Sequence, residues 1–277
     1  MLLISCRQED PPPPTIEEIY NIPSGVKESL IYEFMIHEIE GIVLNILYDL
    51  HERDGGVAAT HEDYNVFSGR GNCAEQTLDD QANMLTLHFS NTCESDVNGW
   101  KRTGTITISY TDPKDGPGNI VIVNIDEFKL GGLGINGTLQ MENISTSSST
   151  ESRNYILRMT NLELSVNNEA SFFSGHRNIN YTKENGNDFE STRLDYTSIN
   201  DLSFEIANGD QFSMSQTTAQ GFDCWLENIF FPNGGSIELQ NDSGVITIDF
   251  GTQSCDYDVV ILENDGEGKR FSLAEIL

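Results

Sequence analysis

Five cysteines are the residues in this chain best equipped for covalent chemistry, and their spacing divides them into two kinds. Cys6 stands alone behind Leu2-Leu3-Ile4-Ser5. An apolar run closed by a small residue and a cysteine is the pattern at which bacteria cleave an export signal and attach lipid to the thiol. The run is short, as if a basic leader region belonged upstream of Met1. Cys73 and Cys93 lie 20 residues apart, and Cys224 and Cys255 lie 31 apart. In an exported protein such thiols oxidise, and four cysteines permit three connectivities. Each local pair brackets one strand-like segment, Met84 to Phe89 and Val245 to Phe250. The expected bonds are therefore Cys73–Cys93 and Cys224–Cys255, each contributing about 3–4 kcal/mol through loop entropy. A four-cysteine zinc site would need a C-x-x-C spacing that the chain lacks.

Other residue types offer less. His37, His51, His61, His88 and His176 form neither H-E-x-x-H nor a close H-x-H pair. His37-Glu38 and His51-Glu52 read as the polar side of a helix, and His88, between Leu87 and Phe89, as the outward residue of a strand. Gly132-Leu133-Gly134-Ile135-Asn136-Gly137 matches G-x-G-x-x-G. That motif needs a strand before it and a helix after it to hold phosphates, whereas Thr138 to Met141 read as a strand, so a glycine-rich hairpin is expected. No G-x-S-x-G elbow is present. Glycoside hydrolysis asks for two carboxylates about 5–9 Å apart, and with 44 acids no single pair stands out. No cofactor is expected. Calcium is the one exception left open, by the acid-rich stretches Glu184 to Glu190 and Asp256-Tyr257-Asp258, which turn-favouring acids on a solvated face explain as well. Of the two tryptophans, Trp225 is expected to pack on the Cys224 disulfide, and Trp100, after Asn98-Gly99, is the candidate ligand platform.

Composition narrows the partners. Fifteen Lys and Arg against 44 Asp and Glu give a formal charge of −29, which excludes nucleic-acid binding through a basic face. No apolar run approaches the roughly 18 residues of a membrane span, and 277 residues with 37% hydrophobic content can bury a substantial core. Arg7-Gln8-Glu9-Asp10 and then Pro11 to Pro14 form a polar, stiff segment after Cys6, suited to hold a folded body away from its anchor.

The elements that must position these groups follow from periodicity. Residues 26–50 place Val26, Leu30, Phe34, Met35, Ile39, Ile42, Val43, Ile46, Leu47 and Leu50 at steps of three and four, the stripe of a helix, with Ser24 as its cap and Asp54-Gly55-Gly56 as its end. From about residue 84 the period becomes two, as in Ile106, Ile108 and Tyr110 and again in Leu202, Phe204 and Ile206, which predicts half-buried antiparallel strands. Turns are expected at Asp112-Pro113, Asp115 to Gly118, Asn136-Gly137, Asn185-Gly186, Asn208-Gly209-Asp210, Asn233-Gly234-Gly235 and Asp265-Gly266. Ser145 to Ser152 reads as a solvated loop. Leu85-x-Leu87-x-Phe89-x3-Cys93 and Ile246-x-Ile248-x-Phe250-x4-Cys255 echo one another, as two related stapled hairpins would.

The order of these segments resembles a family of Bacteroidota surface lipoproteins to which no activity is attached. The residues that carry the resemblance are Cys6, the N-terminal helix, Cys73 before a strand, Phe89-Ser90-Asn91-Thr92-Cys93, Lys101 to Tyr110, Cys224-Trp225 and Ile246 to Gly251 with Cys255-Asp256. It covers most of residues 70–277 and implies no catalytic residues. Acids directly after Cys6 resemble the signal that sends such lipoproteins to the outer face of the outer membrane.

The expectation is thus a mainly β chain, an antiparallel sandwich or an open twisted sheet of many hairpins with one long N-terminal helix covering an apolar face. Residues 1–14 form a lipobox remnant and tether, 15–56 a helical segment, and 57–277 the β domain, with two related halves. The expected role is non-enzymatic: an outer-membrane lipoprotein anchored in lipid through Cys6, exposed at the cell surface, with a glycan or protein as ligand. A secreted glycan-active enzyme with an acidic cleft is the alternative, and a periplasm-facing anchor the alternative placement.

Overall fold

The computed structural model describes residues 22–54, 73–94, 100–111, 117–146, 152–183, 192–222, 232, 234–252, 258–263 and 268–272. Helix α1 spans Val26–Asp54. It is followed by thirteen strands: β1 Glu75–Asp79, β2 Met84–Glu94, β3 Lys101–Tyr110, β4 Ile120–Leu130, β5 Leu133–Asn143, β6 Ser152–Val166, β7 Glu169–Lys183, β8 Thr192–Glu205, β9 Gln211–Phe222, β10 Gly234–Asn241, β11 Gly244–Thr252, β12 Asp258–Leu262 and β13 Gly268–Ser272. All belong to one antiparallel sheet whose spatial order is the sequence order. Of the two architectures expected, the open sheet is the one formed.

Register explains why a single core suffices. Leu85, Ile108, Val123, Leu139 and Met159 lie opposite one another from β2 to β6. Leu162, Phe173, Phe204 and Phe212 continue the face through β9, and Ile237, Ile248 and Ile261 carry it to β12. All of these side chains are buried. Because side chains alternate between faces, this alignment puts the buried apolar residues of the strands from β2 to β13 on one surface. The edge strands β1 and β13 are only 5 residues each and carry Glu75 and Asp79, or Lys269 and Arg270, a length and charge that discourage further pairing.

That surface curls around α1. Tyr32 stacks on Phe173 of β7 with centroids 4.6 Å apart, while Phe34 meets the edge of Trp100, next to β3, at 5.8 Å. Two residues along a helix are about 200° apart in direction, so strands of one sheet reach nearly opposite sides of it. The stack continues from Phe173 to Phe204 to Phe212 at 4.7 and 5.1 Å. At the start of α1, Gly25 (φ 85°) lies so close to Phe212 that a Cβ would stand 2.6 Å from the ring.

A transverse crease makes the curl. Register shifts interrupt β2 at Phe89/Cys93, β3 at Thr103/Thr105, β4 at Ile125/Phe128, β5 at Asn136/Leu139, β6 at Met159/Leu162 and β7 at Ser174/His176. Bulges bend a strand and raise its twist. Here they line up, and three of them pair a left-handed glycine with a left-handed residue next door: Gly104 with Glu127, Gly137 with Asn161, and Gly175 with Asp201. At Gly175 the backbones approach so closely that a Cβ would lie 2.1 Å from the Asp201 carbonyl oxygen.

Four expectations are corrected. The polar side assigned to the helix is not exposed: Glu33, His37, Glu38 and Glu40 are all buried, because sheet covers that side as well. The first strand is β1, ahead of residue 84. Asn136-Gly137 is a bulge inside β5 rather than a turn, since positive φ serves both. Ser145 is buried, its amide donating to Asn143 Oδ1 and its hydroxyl accepting from the Asn154 amide, and Ser152 already belongs to β6. The alternation in β3 and β8 and the turn at Asn208 to Asp210 are as expected; helix α1 reaches Asp54, and Gly55-Gly56 lie outside the described residues.

Candidate functional site

On the face opposite the core, register builds a trough. Phe172, Glu205 and Gln211 form one row across β7, β8 and β9. Ser174, Ser203, Ser213 and Gln240 form the next row, reaching β10. Serines are too small to fill the space between their neighbours, so the second row is a floor and the first a wall. The turns at Asn208 to Asp210 and Asn241 to Ser243 rise at the same end, because β8 and β10 run in the same direction. The resulting depression has a volume of about 810 Å³ and stands open to solvent. Phe172 is 38% exposed, and Ile144 is the only other large apolar side chain exposed among the described residues.

Local hydrogen bonds fix the polar groups. Gln211 Nε2 donates to Glu205 Oε2 (3.2 Å), and Asn208 Nδ2 donates to Asp210 Oδ2 (2.8 Å). The Asn161 amide, at the crease, donates to Ser174 Oγ (2.8 Å). The lining carries Glu205, Asp210 and Asp242 and no Lys, Arg or His. Such a surface offers hydroxyl, amide and carboxylate partners beside one aromatic face, with an outward-turned opening rather than an enclosed cleft.

A second polar cluster lies inside. Arg177 of β7 donates from Nη2 to Glu33 Oε2 at 3.0 Å and lies over the Tyr32 ring, 5.6 Å from its centroid. Arg102 of β3 donates from Nε to Glu38 Oε1 at 2.6 Å. His37 places Nδ1 3.1 Å from Glu40 Oε2 and Nε2 3.4 Å from Glu33 Oε2. Burial by itself would raise the Glu33 carboxyl, but the charge of Arg177, followed by the hydrogen bond and charge of His37, outweighs it and holds the group below the ordinary value. Burial pushes the Tyr32 phenol upward against the pull of Arg177. Burial also opposes the charge on Arg177, yet Glu33 and Tyr32 keep its guanidinium firmly protonated. Buried as they are, these groups seat the helix rather than meet a substrate.

The residues singled out by sequence fall as follows. Cys73 and Cys93 are bonded, with Cα atoms 5.2 Å apart, which ties the chain just ahead of β1 to β2, and Cys93 lies opposite Arg102 of β3, the partner of Glu38. Trp100 is half-buried, edge-on to Phe34 and against Gly131, where a Cβ would stand 3.1 Å from the indole. His88 is exposed on β2, its ring 3.3 Å from Thr105 Oγ1. The glycine-rich stretch runs from the β4–β5 turn into β5. Among the described residues no three His, Cys, Asp or Glu are grouped to hold a metal ion, and no helix is long and apolar enough to cross a membrane. Cys6, His61, Asn185-Gly186, Glu184 to Glu190, Cys224, Trp225, Cys255, Asp256-Tyr257 and Asp265-Gly266 lie outside the described residues.

Phe172 and the serine row were not among the expected site residues. One signal was available: Phe172 and Phe173 are consecutive in a strand, so one must face outward. Comparison of the chain with protein-family models, curated proteins and solved structures found no match.

Proposed function

We propose that this chain is an exported, lipid-anchored protein of the outer membrane that displays a binding surface to the outside of the cell and has no catalytic activity of its own. The trough on β7 to β10 carries the reading. It stands open to solvent, and two of its three carboxylates, Glu205 and Asp210, accept neighbouring amides, whereas hydrolytic chemistry calls for a concave, water-excluding pocket with converging acids. The Cys73–Cys93 bond supports an oxidising compartment. The order of segments after Cys6 supports membership of the Bacteroidota lipoprotein family, and Arg7 to Pro14 supply the spacer between lipid and sheet.

The test is non-reducing peptide mapping by mass spectrometry on protein purified from its native cells, together with protease treatment of intact cells. The expected result is a diacylated N-terminal Cys6 peptide, linked Cys73–Cys93 and Cys224–Cys255 peptides, and loss of the protein to added protease. Unmodified Cys6 behind an intact Met1, with free thiols, overturns the export reading. Complete protection from protease moves the anchor to the periplasmic side.

A further inference from the structure

We propose that the trough binds a neutral saccharide chain, one sugar ring lying flat on Phe172 and its hydroxyls meeting the serine floor. This rests on reading the protein as a binding protein, and it adds the ligand's chemical class.

Three observations converge on that class. The first is shape: about 810 Å³ lies within the roughly 300–1,000 Å³ of small-ligand sites, and the row Ser174, Ser203, Ser213 and Gln240 makes the depression run across the strands rather than close into a pit. The second is the aromatic. Phe172 is one of two large apolar side chains exposed among the described residues, and the flat C–H face of a pyranose meets the electron-rich face of such a ring favourably. The third is the polar inventory. Sugar hydroxyls donate and accept at once, and the lining answers with serine hydroxyls, the Gln240 and Asn161 amides and the Glu205 carboxylate.

Charge decides between ligand families. With three carboxylates and no cationic side chain in the lining, and −29 over the chain, nucleotides, phosphates and polyanionic glycans are repelled. The same three carboxylates would also attract a basic peptide, the class that the oligolysine control tests. A neutral polyhydroxyl chain needs no free charge.

The experiment uses the full chain and a panel of neutral hexasaccharides, namely maltohexaose, cellohexaose, xylohexaose and mannohexaose, with calcium and an oligolysine peptide as controls, read by isothermal titration calorimetry. Phe172→Ala, Phe172→Tyr and Ser203→Tyr are compared with the parent, each checked by thermal melting. Both positions face outward, so melting temperatures stay within a few degrees. The expected result is binding of at least one hexasaccharide, weakened about tenfold or more by Phe172→Ala, blocked by Ser203→Tyr and kept by Phe172→Tyr. Saccharide binding that none of these variants alters overturns the site while leaving a binding protein. Binding only to oligolysine or calcium, lost in Ser203→Tyr, overturns the ligand class and keeps the trough. No binding by any probe overturns the proposal and weakens the reading beneath it.

Discussion

Arg177 and Glu33 meet at 3.0 Å with neither side chain touching solvent, one on β7 and the other on a helix enclosed by the same sheet. Taking both charges out of water is expensive, by several kcal/mol per ion. Removing one partner strands the other. Arg177→Met is therefore expected to destabilise the protein by about 3–5 kcal/mol, while Glu33→Leu with Arg177→Met recovers most of that loss. Guanidinium denaturation of the single and double variants checks it. A single variant that melts like the parent would mean the pair is not formed in solution.

Acid should act through the same carboxyl. Glu33 ordinarily titrates near 4.5 and is held lower in the folded protein, burial being outweighed by Arg177 and His37. A folded value below the unfolded one means its stabilisation is complete above the ordinary value and is lost as pH falls through the folded one. Urea denaturation from pH 7 to pH 3 should show stability falling below about pH 4.5. Glu33→Gln should be less stable at neutrality yet flatter in this acid range. Parallel curves would contradict a charged Glu33.

The crease yields a comparison within one molecule. Gly118 and Gly175 both have positive φ, 81° and 141°, but a Cβ at Gly118 meets open space, whereas at Gly175 it meets the Asp201 carbonyl at 2.1 Å. Gly118→Ala should lose about 1–2 kcal/mol, the strain of a left-handed alanine. Gly175→Ala adds the displacement of a neighbouring backbone and should exceed about 4 kcal/mol. Equal losses, measured by chemical denaturation, would show that the two strands do not approach as described.

What could be read from sequence was whatever local periodicity encodes. Ile106, Ile108 and Tyr110 announce a half-buried strand because alternation is a property of adjacent residues, and Asn208 to Asp210 announce a turn for the same reason. The enclosure of the helix was also written locally, in Ile31, Tyr32, Ile36 and Leu44, which lie outside the main stripe and leave no wide polar face. The partners of its charges were not, since Arg102 stands 64 residues from Glu38 and no local pattern links them. The trough was hidden more deeply. Ser174, Ser203, Ser213 and Gln240 are ordinary outward residues of four strands, and only the register of β7 to β10 makes them neighbours.

A sheet whose strand order is its sequence order can zip up hairpin by hairpin, each step closing a short loop. The enclosed helix does not share that economy. Glu33 is 144 residues away from Arg177, so covering α1 needs strands far along the chain, β7 and then β9 with its Phe212, the kind of long-range closure that slows folding. Until then it presents an apolar surface on almost every side, the sort of exposure that invites aggregation and chaperone capture. Helix α1 stands ahead of every strand described, yet it is finished only once the sheet has closed around it.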